Sequence, residues 1–488
     1  MTVTNATPSK ETTYKGFNPF ERRVVWGLTG LFALRMLGLY FIIPILSPYV
    51  AQMPGSTPML VGLAMGIYGF TQLLFQVPFG IWSDRWGRKP ILTLGLLVFM
   101  LGSVICALAT NAWILVLGRL VQGMGAMASV AVAMMADFTR DRVRTRAMAM
   151  LGVAIGGTFA AGMIIGPWAT SKVGIPNLFW MTAILTGLGI VYLWWKIPEP
   201  PRLSHHDDAG YSREHLFEVI RNRNLLRLDM ATFVLHAVLT AIMTVCPLML
   251  EKFLPQTSFW KVYLPGMSIG IVIMLVGARI SERPGFGKRV ALLGQGTMIV
   301  ALIVLALSSP MSVLNEGKSF LGIAFGIGIY IAAFALLEPL LPALLTRLTM
   351  QTNRGTAVGI FNMSQFGGAF AGGLIAGAFQ QVNVALMFWV LGGMAFLWFI
   401  AALRLEDPKH LDSVSLPMLG ASIDERHRVA SELLHTRGIE DVAWEKSRER
   451  LMIRYDADHI QYDTLGSLTA PYEVVPSDGS LAPDKANV

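Results

Sequence analysis

Between residues 22 and 404 the chain alternates long apolar runs with short polar breaks. Runs of 18 or more apolar residues are long enough to cross the ~30 Å hydrocarbon core of a bilayer as helices. The pattern predicts twelve spans, at 24–50, 60–83, 90–110, 113–137, 147–170, 176–197, 228–250, 259–280, 288–308, 318–346, 354–380 and 382–404. A soluble helical core of this size would need polar faces on its outer helices, and few are visible. The break at 198–227 is longer than the others. It opens on the proline cluster IPEPPR and ends in the amphipathic stretch SREHLFEVIRNRNLL. It separates the spans into two sets of six.

Past residue 412 the pattern changes again. VSLPML alternates like a strand, and Ser422 to Glu425 form a capping box before an amphipathic helix that Gly438 ends. DVAWEKS and RLMIRYD alternate as a hairpin pair, HIQYDTLGSL suits a second helix, and PYEVVP a last strand. The order β-α-β-β-α-β predicts a small ferredoxin-like domain. The expected organisation is an N-terminal tail (1–21), a six-helix half (22–197), a linker with an amphipathic helix (198–227), a second half (228–404), the small domain (413–475) and a disordered end (476–488).

The halves look related. GGTFAAGMIIG (156–166) aligns without gaps with GGAFAGGLIAG (367–377), and eight of eleven positions are identical or exchange Ala for Gly. These segments fall in the fifth and eleventh spans, the same place in each half. Repeated halves are the architecture of a carrier with a site between them.

Composition narrows the class. The chain of 488 residues is 54% hydrophobic and only 14% charged, where soluble domains carry about 25% charge. The net charge of +8 does not imply nucleic-acid binding, because the cations gather in alternate loops. Loops 51–59, 110–113 and 380–383 carry no charge, whereas 80–89, 139–146 and 279–289 carry three or four cations each. By the positive-inside rule both termini are cytoplasmic, in agreement with an even number of spans. Cys106 and Cys246 sit in apolar runs and read as core residues. His205, His206, Asp207 and Asp208 read as solvated linker, so no metal or other cofactor is expected. No GxxxxGK[ST] occurs, which disfavours ATP-driven transport, and no nucleophile–base or metal-ligand constellation suggests an enzyme.

Ionisable residues inside spans are costly and are usually functional or paired. Glu338, followed by Pro339, is either a proton-binding acid or a structural carboxylate. Arg119 and Arg35 either respond to protonation, bind an anionic group or pair structurally. Asp229 and His236 lie seven residues apart on nearly one helix face; the first also fits a helix cap and the second a packed histidine. Tyr40, Tyr68, Gln72, Gln122, Tyr330 and Phe361 are candidates to line a substrate cavity, each with plain packing as its alternative.

The charged knot GIWSDRWGRK (80–89) sits between the second and third spans. Arg85, Arg88 and Lys89 can hold the loop at the membrane surface while Asp84 caps the third helix. The sharper reading is a latch. The positive N-terminal end of the eleventh helix would attract Asp84, and Asp137 would pair with Arg88. This knot resembles the signature loop of the major facilitator superfamily. LGRLVQGMGA (117–126) is similar to the fourth-helix motif of proton-coupled members. GMIIGP (162–167) resembles the start of the drug:proton antiporter motif through Gly162, Gly166 and Pro167, although Trp168-Ala-Thr replaces its closing glycine pair.

The resemblance implies an all-α membrane protein of twelve helices in two pseudo-symmetric halves, with a small α+β ferredoxin-like domain appended. It implies alternating access, coupling to protons and a bacterial inner-membrane location. It assigns the latch to Gly80, Asp84, Arg85, Gly87, Arg88 and Asp137. The expected partners are a small, amphipathic molecule, protons and the lipid bilayer. The chain is expected to be a monomer whose small domain serves regulation or dimer contact. Uptake symport and a non-transporting sensor are the alternatives.

Overall fold

The computed structural model describes residues 16–199, 213–283, 285–310, 319–349, 354–406, 411–417, 423–436, 438–445, 450–456 and 475–476. The linker histidines and aspartates and the second helix expected in the small domain lie outside these residues, as do Ser422 of the capping box and most of both tails.

The first group of helices comprises α1 (Pro19–Ala51), α2 (Pro58–Trp86), α3 (Arg88–Ala107), α4 (Ala112–Met124), α5 (Ala128–Phe138), α6 (Asp141–Val173) and α7 (Ile175–Lys196). A short α8 (Arg213–Arg221) leads to the second group. That group comprises α9 (Arg223–Leu250), α10 (Trp260–Ser281), α11 (Gly287–Ser308), α12 (Phe320–Leu348), α13 (Arg354–Phe379) and α14 (Val384–Leu403). Local chemistry sets many of the starts. Thr57, Asn111, Ser319 and Asn383 each accept a hydrogen bond from the backbone N–H three residues on. At the α2–α3 turn Gly87 has φ +97°, a conformation that other residues adopt only with strain.

Among the described residues, eleven helical segments are long and apolar enough to cross a bilayer. The predicted eleventh span, α13, has the length but not the apolarity, because glycines and Asn362, Ser364 and Gln365 dilute it. The predicted fourth span is not one helix. It breaks at Gly125–Met127 into α4 and α5, where a methyl on Gly125 would press on Gly95 O and on Phe99 N at 3.1 Å. Close approach to α3 thus fixes the break.

The two groups meet at the end carrying the uncharged loops. One continuous core there runs from Phe41–Met53, Leu60–Ile67 and Cys106–Val116 into the second group. Ser47 Oγ donates to Met243 O at 3.3 Å and Gln52 Nε2 to Glu251 Oε1 at 3.0 Å. Between α2 and α13 main chain lies on main chain. A methyl on Gly66 would stand 2.9 Å from Phe370 O and one on Gly69 2.7 Å from Phe366 O, and Gly62 faces Gly373 O. Small residues allow such backbone approach in lipid. At the basic end the first group has its own separate core, including Leu28, Phe79, Phe99, Met134 and Leu193. Methyls on Gly152, Gly156 and Gly157 of α6 or Gly355 of α13 would meet nothing within 4 Å. The groups are therefore joined at the uncharged end and parted at the basic end.

One tie at the basic end has no counterpart in the sequence reading. Glu21 is 2% exposed and receives Arg140 Nε at 2.8 Å, Arg140 Nη2 at 3.0 Å, and the backbone N–H groups of Arg140 and Asn18. It closes a capping box with Asn18 and fastens the start of α1 to the α5–α6 turn. Glu21→Ala strands these donors, of which Arg140 is partly solvated. The expected loss is about 1–3 kcal/mol, read as a lowered melting temperature in detergent.

Beyond α14 come β1 (Leu411–Pro417), α15 (Ile423–Leu434), β2 (Ile439–Glu445), β3 (Arg450–Asp456) and β4 (Val475–Pro476). The sheet order is β2-β3-β1-β4, with all neighbours antiparallel. Val414, Val429, Leu433, Leu451, Ile453 and Tyr455 form its own small core.

Candidate functional site

The parted basic end leaves a space between the two groups, and the His–Glu pair facing it comes from the second group. Glu338 of α12 stands with Pro339 behind it, its side chain 39% exposed, and its Oε2 lies 3.4 Å from His236 Nε2 of α9. His236 Nδ1 lies 3.0 Å from Thr232 O and 3.4 Å from Thr232 Oγ1. Nε2 lies 2.8 Å from Gln365 Nε2 of α13. Without a proton Nε2 accepts from the Gln365 amide; carrying one, it donates to Glu338. The histidine thus sits between an amide and a carboxylate.

Aromatic rings wall this pair. Phe334 meets His236 edge-on at 5.9 Å, Phe159 of α6 meets Phe334 at 5.7 Å, and Tyr40 meets Phe159 at 5.1 Å. Phe159, Phe334, Thr232 and Gln365 were not singled out from sequence. A polar residue inside the eleventh span was the available signal for Gln365.

The other predicted cavity residues are elsewhere. Tyr68, Gln72 and Gln122 are buried inside the first group, and Tyr330 and Phe361 inside the second. Tyr330 Oη donates to Leu235 O at 3.3 Å. Only Tyr40, half-buried, borders the space. Arg35 and Arg119 also point into the first group. Arg35 Nη2 donates to Tyr68 Oη at 2.6 Å, with its guanidinium 4.8 Å from the Phe99 ring. Arg119 donates to Ala64 O at 3.2 Å and Gln122 Oε1 at 2.8 Å, and lies 5.0 Å from the Tyr68 ring. Gln122 passes the chain on to Ser103 at 2.8 Å. Among the described residues no carboxylate pairs with either arginine; ring faces and carbonyls stabilise them.

Asp229 is not a helix cap, because α9 begins at Arg223 behind the cap Asn222. It is 7% exposed, and its Oδ1 has no partner among the described residues. Gly162 and Gly166 pack α6 on α1: a methyl on Gly162 would stand 2.6 Å from Tyr40 C, and Gly166 faces Phe41 O. Pro167 follows within the same helix.

In the knot, Arg88 pairs with Asp84, donates from Nε to Asp137 Oδ2 at 2.9 Å and from Nη1 to Ser83 Oγ at 2.8 Å. Asp84 is 61% exposed, and Arg88 is its one charged partner among the described residues. It does not cap α3, whose N-cap is Gly87 with no side-chain bond. Gly80 lies beside Ser129 of α5, and Arg85 is exposed. Lys89, which the sequence offered as a surface anchor, is buried. Its Nζ donates to Ile197 O at 2.8 Å beside the Trp194 ring, closing the end of α7.

Two packed helical groups, open at one end around a few polar side chains, define a membrane transporter. The chain belongs to the Major Facilitator Superfamily, whose family model matches residues 28–337 and 288–444. It is 35% identical over 444 residues to the inner membrane transport protein YajR of Escherichia coli K12, covering 90% of this chain and 95% of that one. Over 174 residues it is 33% identical to the class E tetracycline resistance protein of Escherichia coli, covering 35% and 42% of the two chains. The crystal structure of the nucleoside transporter NupG superposes with a TM-score of 0.60 at 14% identity, covering 78% of this chain and 98% of that one. That likeness is one of fold.

Proposed function

We propose that this protein is a proton-coupled antiporter that expels a small amphipathic molecule across a bacterial inner membrane by alternating access. The observation that carries the proposal is the His236–Glu338 pair, open to the space between the groups. The aromatic wall suits an amphipathic substrate. The tetracycline resistance relative supports the outward direction, and YajR supports the membrane. With the basic loops cytoplasmic, both termini are cytoplasmic and the parted end faces inward.

In this reading Asp84 is released from the N-terminus of α13 and rests on Arg88, and the outward-facing state re-engages it. Gly80, Arg85, Gly87 and Asp137 complete that latch. Arg35, Arg119 and Asp229 are further candidates for coupling. The tail is a ferredoxin-like domain, supported by the order β2-β3-β1-β4, and it serves regulation in a monomer. The domain boundaries are those read from the sequence.

The test is proton movement in proteoliposomes, followed with an internal pH dye while amphipathic compounds, sugars and metabolites are added. Proton movement opposite in direction to a substrate's supports antiport; movement in the same direction replaces it with symport. Asp84→Asn is expected to lower initial transport rates several-fold with insertion unchanged. Normal rates in a correctly inserted variant would remove the latch.

A further inference from the structure

A groove of about 600 Å³ opens on the outer side of the second group, between α11 and α14. Arg289 stands at its basic end. Leu292, Leu293, Gly296 and Val300 of α11 and Phe399 of α14 line the rest. The wall is almost wholly hydrocarbon. Its hydroxyl, on Thr297, donates to Leu293 O at 2.8 Å and so offers nothing outward. Gly296 leaves the floor empty, since a methyl there would meet no atom within 4 Å. From Arg289 to Val300 the helix rises about 17 Å, roughly half of the ~30 Å hydrocarbon core and thus one leaflet deep.

The chemistry at the two ends identifies the occupant. The apolar length faces the membrane, with Leu293 and Val300 exposed, and its natural filling there is an acyl chain. Arg289 is exposed, lies over the Phe286 ring at 5.1 Å and has no carboxylate partner among the described residues. Arg279, Arg283 and Lys288 surround it in sequence, against a single acid, Glu282. A guanidinium fork suits a phosphate oxygen pair.

We propose that this groove holds an anionic phospholipid of the basic-end leaflet, its acyl chain along α11 and its headgroup phosphate on Arg289. The proposal rests on the chain's spanning a bilayer and is independent of proton coupling at Glu338.

Native mass spectrometry of the purified full chain tests it, with phosphatidylglycerol and phosphatidylcholine as probes. The wild type is expected to retain phosphatidylglycerol about fivefold better than phosphatidylcholine, the scale of one cation near a lipid surface. Arg289→Gln should remove that preference while still binding both lipids. Gly296→Leu, which fills the floor, should lose both. Lys196→Gln, at an exposed cation beside Trp195 on the first group, should change neither. An unchanged preference in Arg289→Gln, unchanged retention in Gly296→Leu, or an equal loss in Lys196→Gln would each overturn the site.

Discussion

Glu338→Gln should abolish substrate-evoked proton movement in proteoliposomes, to the level of protein-free vesicles, while the protein still inserts and folds. Glutamine has nearly the shape of the carboxyl and can still bond His236, so the aromatic wall around the pair should stand. What it cannot do is exchange a proton. His236→Asn should have a smaller effect, because it removes the partner that senses the proton but leaves the acid open to the space. A structural carboxylate predicts the reverse: coupled flux would survive in Glu338→Gln and melting would fall. Flux and melting temperature measured on the same preparation separate the two roles.

Gly373→Leu should open the uncharged end. Gly373 lies against the main chain of Gly62 and Gly66, with a methyl reaching 2.8 Å from Gly66 Cα. Main chain cannot turn aside as a side chain can. Overpacking costs about 1–3 kcal/mol, and a bias of that size changes a two-state population about 5- to 150-fold. Turnover should therefore collapse although the substitution touches no chemistry. Ser47→Cys reports the change in a background where Cys106 and Cys246, both buried, are replaced by alanine. Ser47 is fully enclosed and should resist a membrane-impermeant maleimide. In Gly373→Leu it should label, and continued protection would show that the two main chains are not what closes this end.

The spans were legible because burial in lipid demands long apolar runs, and a run is a local property. The break at Gly125–Met127 was not, because a Gly-rich segment reads as helix until a neighbouring backbone intrudes. The internal repeat located the glycine faces but not their partners. Gly162 and Gly166 meet α1, while their counterparts Gly373 and Gly377 meet α2 across the groups. Buried charge was equally visible without its direction. Arg35 and Arg119 stood out in apolar runs, yet which side of a helix faces the cavity depends on how helices are rotated in the bundle. Glu21 was passed over because it lies at the polar margin of the first span, where an acid is ordinary; only its partner Arg140, far along the chain, makes it special.

Where Gly62, Gly66 and Gly69 of α2 meet α13 the join is made largely of peptide groups, and this has a consequence for selectivity. A barrier built from main chain has no pattern of charge or shape with which to tell one solute from another. It is equally impermeable to all of them, and a mutation that changes which compound is carried has no purchase there. In the proposed mechanism discrimination then falls to the other side of the seal, to Glu338, His236 and the rings beside them. Compound preference can then drift by side-chain replacement without raising the leak.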